Sequence, residues 1–351
     1  MKCKTLIILT IGLCGLLLST MSGFSQGALT PPGAPAPIMK SLDQIEARTP
    51  ISSAPYTITQ PGSYYLTTNL NVTGGDAIDI DTNQVTLDLN GFTISSTAPS
   101  PIGIAIELVV PANNNDIAIL NGHIMSGVTN NGTTFSGTGF NDGITLNGSV
   151  VQNVRVAGVS VSGCEYQGID LGTSGTAAES CTVQNCGSLG IEAQMVSHST
   201  ANQCGNTAII AITASDCTGN SVTVGGVGVQ ASTANNCSGS VSGTGTGINV
   251  TFSANNCYGA TGGGGAGISA AIANNCYGLT SGAGIGINAT SSANNCYGSA
   301  NGTGSYGILT TIAIACNGVA VAGGTGIRAT IANSSYSITG DSAITHTYSM
   351  P

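Results

Sequence analysis

The chain has 351 residues but only 6 Lys+Arg and 15 Asp+Glu, so charged side chains make up 6% of it and the formal net charge is −9. Helix surfaces are built largely from Glu, Lys, Arg and Gln, so this scarcity excludes an ordinary helical enzyme. A hydrophobic content of 41% excludes charge-driven disorder, and 11 Pro beside 52 Gly excludes collagen, which leaves a β-rich chain with internal repetition.

At the start of the chain, Lys2 and Lys4 precede an apolar run of 13 residues, Leu6 to Leu18, followed by Ser22, Gly23 and Ser25. This is the pattern of a secretory signal peptide (1–25), cleaved near Ser25, and the run is shorter than the ~20 residues a membrane span needs. The expected compartment is therefore secreted or cell surface, with no membrane span in the mature chain. Leu13-Cys14 has the wrong residue before Cys for a lipoprotein site. Loss of Lys2 and Lys4 takes the net charge to −11. Such a chain has nothing to neutralise phosphates, so nucleic acid is excluded as a partner. Residues 26–50 form a Pro-rich leader, with a helix-compatible stretch from Met39 to Arg48. Residues 51–75 alternate around a Pro61-Gly62 turn and are expected to cap the open edge of the stack that follows.

The later half repeats with a period near 20. Cys217, Cys237, Cys257, Cys276, Cys296 and Cys316 are 20, 20, 19, 20 and 20 residues apart. Ala-Asn-Asn-Cys recurs at 234–237, 254–257, 273–276 and 293–296. A second mark, Gly-Ile, begins at Gly247, Gly267, Gly286, Gly307 and Gly326, each 10 or 11 residues after its Cys. Two marks holding phase over five periods indicate one solenoid coil per repeat. Leucine-rich repeats, calcium-binding nonapeptide rolls, hexapeptide helices and propeller blades each fail on pattern or period.

Degenerate marks extend the columns backwards. Gly-Ile becomes Ala77-Ile78, Ala105-Ile106, Gly143-Ile144, Gly168-Ile169, Gly190-Ile191, Ala208-Ile209 and Gly228-Val229, while Asn-Cys becomes Asn90-Gly91, Asn121-Gly122, Asn185-Cys186, Gln203-Cys204 and Asp216-Cys217. Irregular spacing places projecting loops at 109–115 and 126–141. The expected fold is all-β, a right-handed single-stranded parallel β-helix (a solenoid) of roughly 12 coils over 76–340, with an N-terminal cap and a loose tail at 341–351.

The strand pair VTLDLNGFTI (85–94), its echo IAILNGHI (117–124) and the Asn column resemble secreted bacterial right-handed β-helix repeat proteins of the pectate-lyase-like superfamily. About three-quarters of the chain is covered. The resemblance implies an Asn ladder along one turn, and it leaves activity open, because the superfamily holds lyases, hydrolases, epimerases, adhesins and unassigned repeat proteins.

Each column has a structural and a functional reading. Asn90, Asn121, Asn185, Asn236, Asn256, Asn275 and Asn295 suit amides bonded along the stack. The six late Cys suit buried free thiols, since parallel side chains pair badly; Cys181 and Cys186 are the best candidates for a bridge. Tyr258, Tyr277 and Tyr297 form an aromatic stack that covers a sheet or holds a sugar ring.

One residue after each Gly-Ile mark comes an outward column: Asp79, Glu107, Thr145, Asp170, Glu192, Ile210, Gln230, Asn249, Ser269, Asn288, Leu309 and Arg328. Its carboxylates would be a solvated face, a calcium site at Asp79 and Glu107, or an acid and nucleophile at Asp170 and Glu192. No charged residue occurs from 217 to 327, so any active site lies in 76–216. Arg155 is the one Arg there, beside His123 and His198. Lyases of the resembled superfamily use an Arg or Lys base with calcium, but no matching motif surrounds Arg155. The paired Asp, Gly-His-Gly and Arg-Ile-Lys of polygalacturonases are missing, with Asn121-Gly122-His123 only a fragment.

The leading expectation is an exported non-enzymatic repeat protein serving as a cell-surface, matrix or adhesion module, with extracellular polysaccharide or surface components as partners and no obligatory cofactor. The alternative is a polysaccharide lyase, a glycoside hydrolase or a calcium-dependent glycan binder using Asp170, Glu192, Glu107 and Arg155. Ice or mineral binding lacks the regular Thr column it needs.

Overall fold

A computed structural model describes residues 47–99, 102–107, 116–132, 134–147, 151–321 and 323–339. The expected signal peptide, most of the expected leader, and the loop and tail expected at 109–115 and 341–351 lie outside the described residues. The chain divides into two units, 1–47 and 48–351, and all described residues except Ala47 belong to the second.

This second unit is a parallel β-solenoid. Thirty strands join in one continuous ladder, and the strands of each coil pair with those of the next in parallel register. The strands fall into three columns, here called faces. The first face carries the Gly-Ile mark and runs through thirteen strands, from Tyr56–Ile58 to Thr325–Asn333. The second face precedes the Asn-Cys mark and the third follows it. In the later coils one strand of nine or ten residues bends from the first face into the second, as in Thr246–Asn255. Among the described residues no helix is long and apolar enough to cross a membrane.

Stacking begins earlier than Asp76. Strands Thr49–Ile51, Tyr56–Ile58 and Leu70–Val72 already pair in parallel with the coil beyond them. Residues 51–75, expected as a cap, therefore contribute a coil of the ladder. Twelve of the thirteen first-face strands begin at Ile78 or later.

The core is a set of columns. Ile78, Ile104, Ile144, Ile169, Ile191, Ile209, Val229, Ile248, Ile268, Ile287, Ile308 and Ile327 stand directly over one another, each no more than 1% exposed. Opposite them the bore narrows along the chain. On the third face the inward position passes from Ile94 and Ile124 through Val161, Val183 and Ala201 to Gly219, Gly239, Gly259, Gly278, Gly298 and Gly318. The second face shrinks in step, from Ile119 and Val156 to Ala234, Ala254, Ala273 and Ala293.

The late glycines let two backbones touch. A Cβ built on Gly259 would lie 2.1 Å from the Gly267 carbonyl oxygen and 2.5 Å from Ile268 Cγ1. No side chain fits between the first and third faces there.

The turn between second and third faces is a single residue in left-handed conformation, with φ near +50° at Asn90, Asn121, Ser180, His198, Asp216, Asn236, Asn256, Asn275, Asn295, Ala315 and Ser334. Asn tolerates this region better than other L-residues, which accounts for its recurrence. Two Asn ladders result. The exposed turn amides bond along the axis, Asn256 Nδ2 to Asn236 Oδ1 at 3.2 Å and Asn295 Nδ2 to Asn275 Oδ1 at 2.8 Å. One residue earlier, a half-buried ladder runs Asn294 to Asn274 to Asn255 to Asn235 at 2.8–2.9 Å. The expected column named only the outer Asn of each tetrad.

Asn185 does not belong to that column. Asn185-Cys186 follows a third-face strand and Gln203-Cys204 ends one, both at the turn back to the first face, where Asn185 N–H donates to Asn202 O. Their places in the Asn236 turn are taken by Ser180-Cys181 and His198-Ser199. Cys181 and Cys186 thus occupy two different turns, and neither is bridged. All ten described cysteines are free and at most 3% exposed. Burial pushes the Cys181 and Cys204 thiols up, which keeps them protonated and unreactive.

Gly259→Val is expected to cost roughly 1–3 kcal/mol or more by overpacking, read as a lower denaturation midpoint, although Val is native at the equivalent Val161 and Val183. Asn255→Ala should cost about 1–3 kcal/mol by orphaning the amides on either side of it. Asn256→Gly should be near neutral, because Gly accepts the turn conformation and that ladder is wet. Equal losses for Asn255→Ala and Asn256→Gly would contradict the distinction between the ladders.

Candidate functional site

Register decides which outward side chains meet. On the first face Asp170 pairs directly with Glu192, one coil apart, and Thr145 precedes them while Ile210, Gln230, Asn249, Ser269, Asn288, Leu309 and Arg328 follow. Asp142, at the start of its strand, joins the pair from the side. Burial pushes its carboxyl up, the negative charge of Asp170 adds to this, and the Gln167 N–H it accepts at 3.1 Å works against both. Glu192 is raised for the same reasons, burial first and the charge of Asp170 second. Two carboxyls with impaired ionisation, Asp142 and Glu192, therefore flank Asp170 in one patch.

A cleft of about 440 Å³ opens beside Glu192, lined by Ile212, Gln230, Ser232, Asn249 and Thr251. Apart from Glu192 its polar groups are amides and hydroxyls, which accept and donate hydrogen bonds without fixing a charge on the ligand. Asp142 escaped the sequence reading because it lies before the Gly-Ile mark; the Asp-Gly-Ile of 142–144 was the available signal.

The expected partners of this pair lie elsewhere. Arg155 is on the second face, where its guanidinium meets Glu179 at 2.6 Å, with both side chains close to half exposed. That guanidinium, by hydrogen bond and charge, holds the Glu179 carboxyl low. His198 lies in the Asn turn, 3.8 Å from Asp216, and His123 begins a third-face segment beside Thr93 and Ser160. Among the described residues no Arg or His joins Asp170 and Glu192.

Glu107 leaves the outward column altogether. Asp79 stands over Ala105, because the mark in that coil is Gly103-Ile104, and Glu107 stands instead over Asn147, whose Nδ2 donates to it at 2.5 Å. The proposed calcium pair is thus out of register by two residues. Burial, followed by the charges of Asp76, Asp81 and Glu107, raises the Asp79 carboxyl, and Asp79 Oδ1 is buried without a partner. Among the described residues no three His, Cys, Asp or Glu side chains gather as a metal-ligand set.

Tyr258, Tyr277 and Tyr297 are stacked, with centroids 5.6 and 4.6 Å apart and planes within 12°. Each ring covers its neighbour's face, so the stack presents edges and hydroxyls outward and offers a free face only at its ends. The six late thiols form the next inward column of the same turn, with the Cys276 N–H directed at Cys296 Sγ at 3.5 Å.

Titration provides a check on the acidic patch. Folded Glu192 holds its proton more tightly than the unfolded chain does, so the native state binds more protons between the ordinary value of 4.5 and the raised one. Its contribution to stability is present at low pH and is lost as pH rises through that window. Glu192→Gln should flatten this part of the thermal midpoint profile and be no less stable at neutral pH; an unchanged profile would contradict the assignment.

Neither a protein-family model nor a curated protein sequence matches the chain. Among solved structures, similarity is found to the enzymatically active domain of bacteriophage CBA120 tailspike protein 2, at 13% identity and a TM-score of 0.28, over 77% of this chain and 38% of that one. Full-length tailspike protein 2 from an Escherichia coli O157:H7 bacteriophage matches at 14% identity and a TM-score of 0.22, over 77% of this chain and 34% of that one. The chain therefore spans well under half the length of either structure.

Proposed function

We propose that this chain is an exported, non-enzymatic β-helix repeat protein that serves as a cell-surface, matrix or adhesion module. The observation that carries this reading is the separation of its ionisable groups. The adjacent carboxylates Asp170 and Glu192 lie on one face and Arg155 is tied to Glu179 on another, so among the described residues no base, acid and cation converge there. Beyond Asp216 the faces carry amides, hydroxyls, small side chains and scattered exposed apolar ones such as Val224 and Phe252, without a charge until Arg328. Such a surface suits repeated, low-specificity hydrogen bonding along an extended neutral partner. The apolar run behind Lys2 and Lys4 supports export, and the strand pairs at 85–94 and 117–124 support kinship with the secreted bacterial pectate-lyase-like β-helices. Extracellular polysaccharides or cell-surface components are the partners this reading names.

A second reading makes the chain a glycan-active enzyme or a glycan binder, because Glu192 is raised and borders the 440 Å³ cleft. A carboxyl raised by burial, Glu192, paired in register with a second one, Asp170, is the kind of arrangement an acid and nucleophile require. One assay separates the readings. Purified full chain offered neutral and acidic polysaccharides should be retained on them or on cell surfaces, release no product, and keep its thermal midpoint when calcium is added. Product release that disappears in Asp170→Ala would overturn the non-enzymatic reading, and a calcium-induced rise in midpoint would favour the calcium-dependent binder.

A further inference from the structure

Where residues 126–141 leave the stack, strands Thr129–Asn130 and Phe135–Ser136 form an antiparallel hairpin, outside the parallel ladder. Its returning leg is tied down. Thr138 Oγ1 donates to Thr97 O at 2.9 Å, the Glu165 N–H to Phe140 O at 2.9 Å, and the Tyr166 N–H to Asn141 O at 2.9 Å. Beneath the hairpin, the positions equivalent to Glu165 in the next two coils are Gly187 and Gly205. A Cβ on Gly205 would collide first with the Gly187 carbonyl and would also come within 3.2 Å of Phe135 Cε2, so the Phe135 ring lies close over bare backbone.

Between hairpin and solenoid is a cleft of about 260 Å³, lined by Val128, Phe135, Ser136, Gly137, Glu165 and Tyr166. Tyr166 is 56% exposed. Glu165 accepts the Gly139 N–H at 3.3 Å and, among the described residues, has no ion pair: Arg48 meets Asp88, Arg155 meets Glu179 and Arg328 lies over Tyr306. An unneutralised carboxylate flanked by two aromatic side chains, in a chain of net charge −9, attracts cations and repels anions. The volume lies below the roughly 300–1,000 Å³ of sites for drug-sized ligands, so a small head group fits it.

We propose that this cleft binds the head of an organic ammonium ion, with Glu165 supplying the countercharge and Phe135 and Tyr166 the aromatic walls. The site is independent of the acidic patch on the first face and stands whether or not the chain is an adhesion module. Its ligand is a quaternary ammonium head such as choline's or the primary ammonium of a lysine side chain, which share this chemistry.

Titration calorimetry on the full chain tests it with three probes of similar size: choline, n-butylammonium and the uncharged choline isostere 3,3-dimethyl-1-butanol. At least one cation should bind about tenfold or more tighter than the neutral isostere, with an affinity that falls as salt rises. Tighter choline assigns the quaternary head and tighter n-butylammonium the lysine-type head. Glu165→Gln and Tyr166→Ala, both at the surface, should each weaken binding about tenfold while Glu192→Gln leaves it unchanged. The thermal midpoint of each variant separates lost binding from lost folding, and Glu165→Asp should retain part of the affinity. Binding of neither cation, equal binding of the neutral isostere, or full affinity in folded Glu165→Gln overturns the proposal. Retention on cell surfaces together with any of those results would leave the adhesion reading standing and remove only this site.

Discussion

Every coil of this solenoid is hydrogen-bonded through its backbone to the coil before it, in register, and that constraint turns each choice of side chain into a column. A favourable choice is multiplied along the axis, as in the twelve-residue Ile/Val column and the half-buried Asn ladder. An unfavourable one is multiplied too. Like charges one strand apart repel, so a regular stack with an ionised column would oppose its own pairing. The absence of charge from 217 to 327 follows from that arithmetic, since this is where the period is strictest.

Narrowing of the bore has the same origin. Once the third face carries Gly at its inward position, the first face comes down onto it, and the remaining interior holds mainly Ile on one side with Ala and Cys, beside a few Val, Ser and Thr, on the others. Cys here acts as a small hydrophobe of the right volume. The earlier coils hold larger interior residues and interrupt the period with loops, and among the described residues it is these coils that carry the carboxylates, Arg48, Arg155 and the hairpin cleft. Regularity and chemical variety are segregated along the chain because one excludes the other.

The register also decides what the candidate site can do. Asp170 and Glu192 meet because their coils follow one another without an insertion, while Arg155 faces a different direction on the same solenoid. A raised carboxyl such as that of Glu192, without an adjacent cation among the described residues, suits binding or proton donation better than proton abstraction from a uronate, which needs a base opposite a neutralised carboxylate. The Tyr stack illustrates the same limit: alignment by register covers the ring faces that a sugar would use.

The solenoid, its period of 20 and the late columns of Cys, Tyr and Asn were legible in the residues, because two marks ten positions apart kept phase over five repeats. The early register was not. Ile104 and Ile106 are both buried, so alternation by itself accepts a slip of two residues, and that slip put Glu107 beside Asp79. Asn-Cys was equally ambiguous, since two different turns each use a left-handed residue followed by a buried thiol, which misplaced Asn185 and paired Cys181 with Cys186. Composition and spacing by themselves determined that this chain must stack as parallel coils, because periodicity is a property of the linear order. Only the tertiary structure decided which side chains touch, because a contact across coils depends on how many residues each loop consumes, and no local pattern counts them.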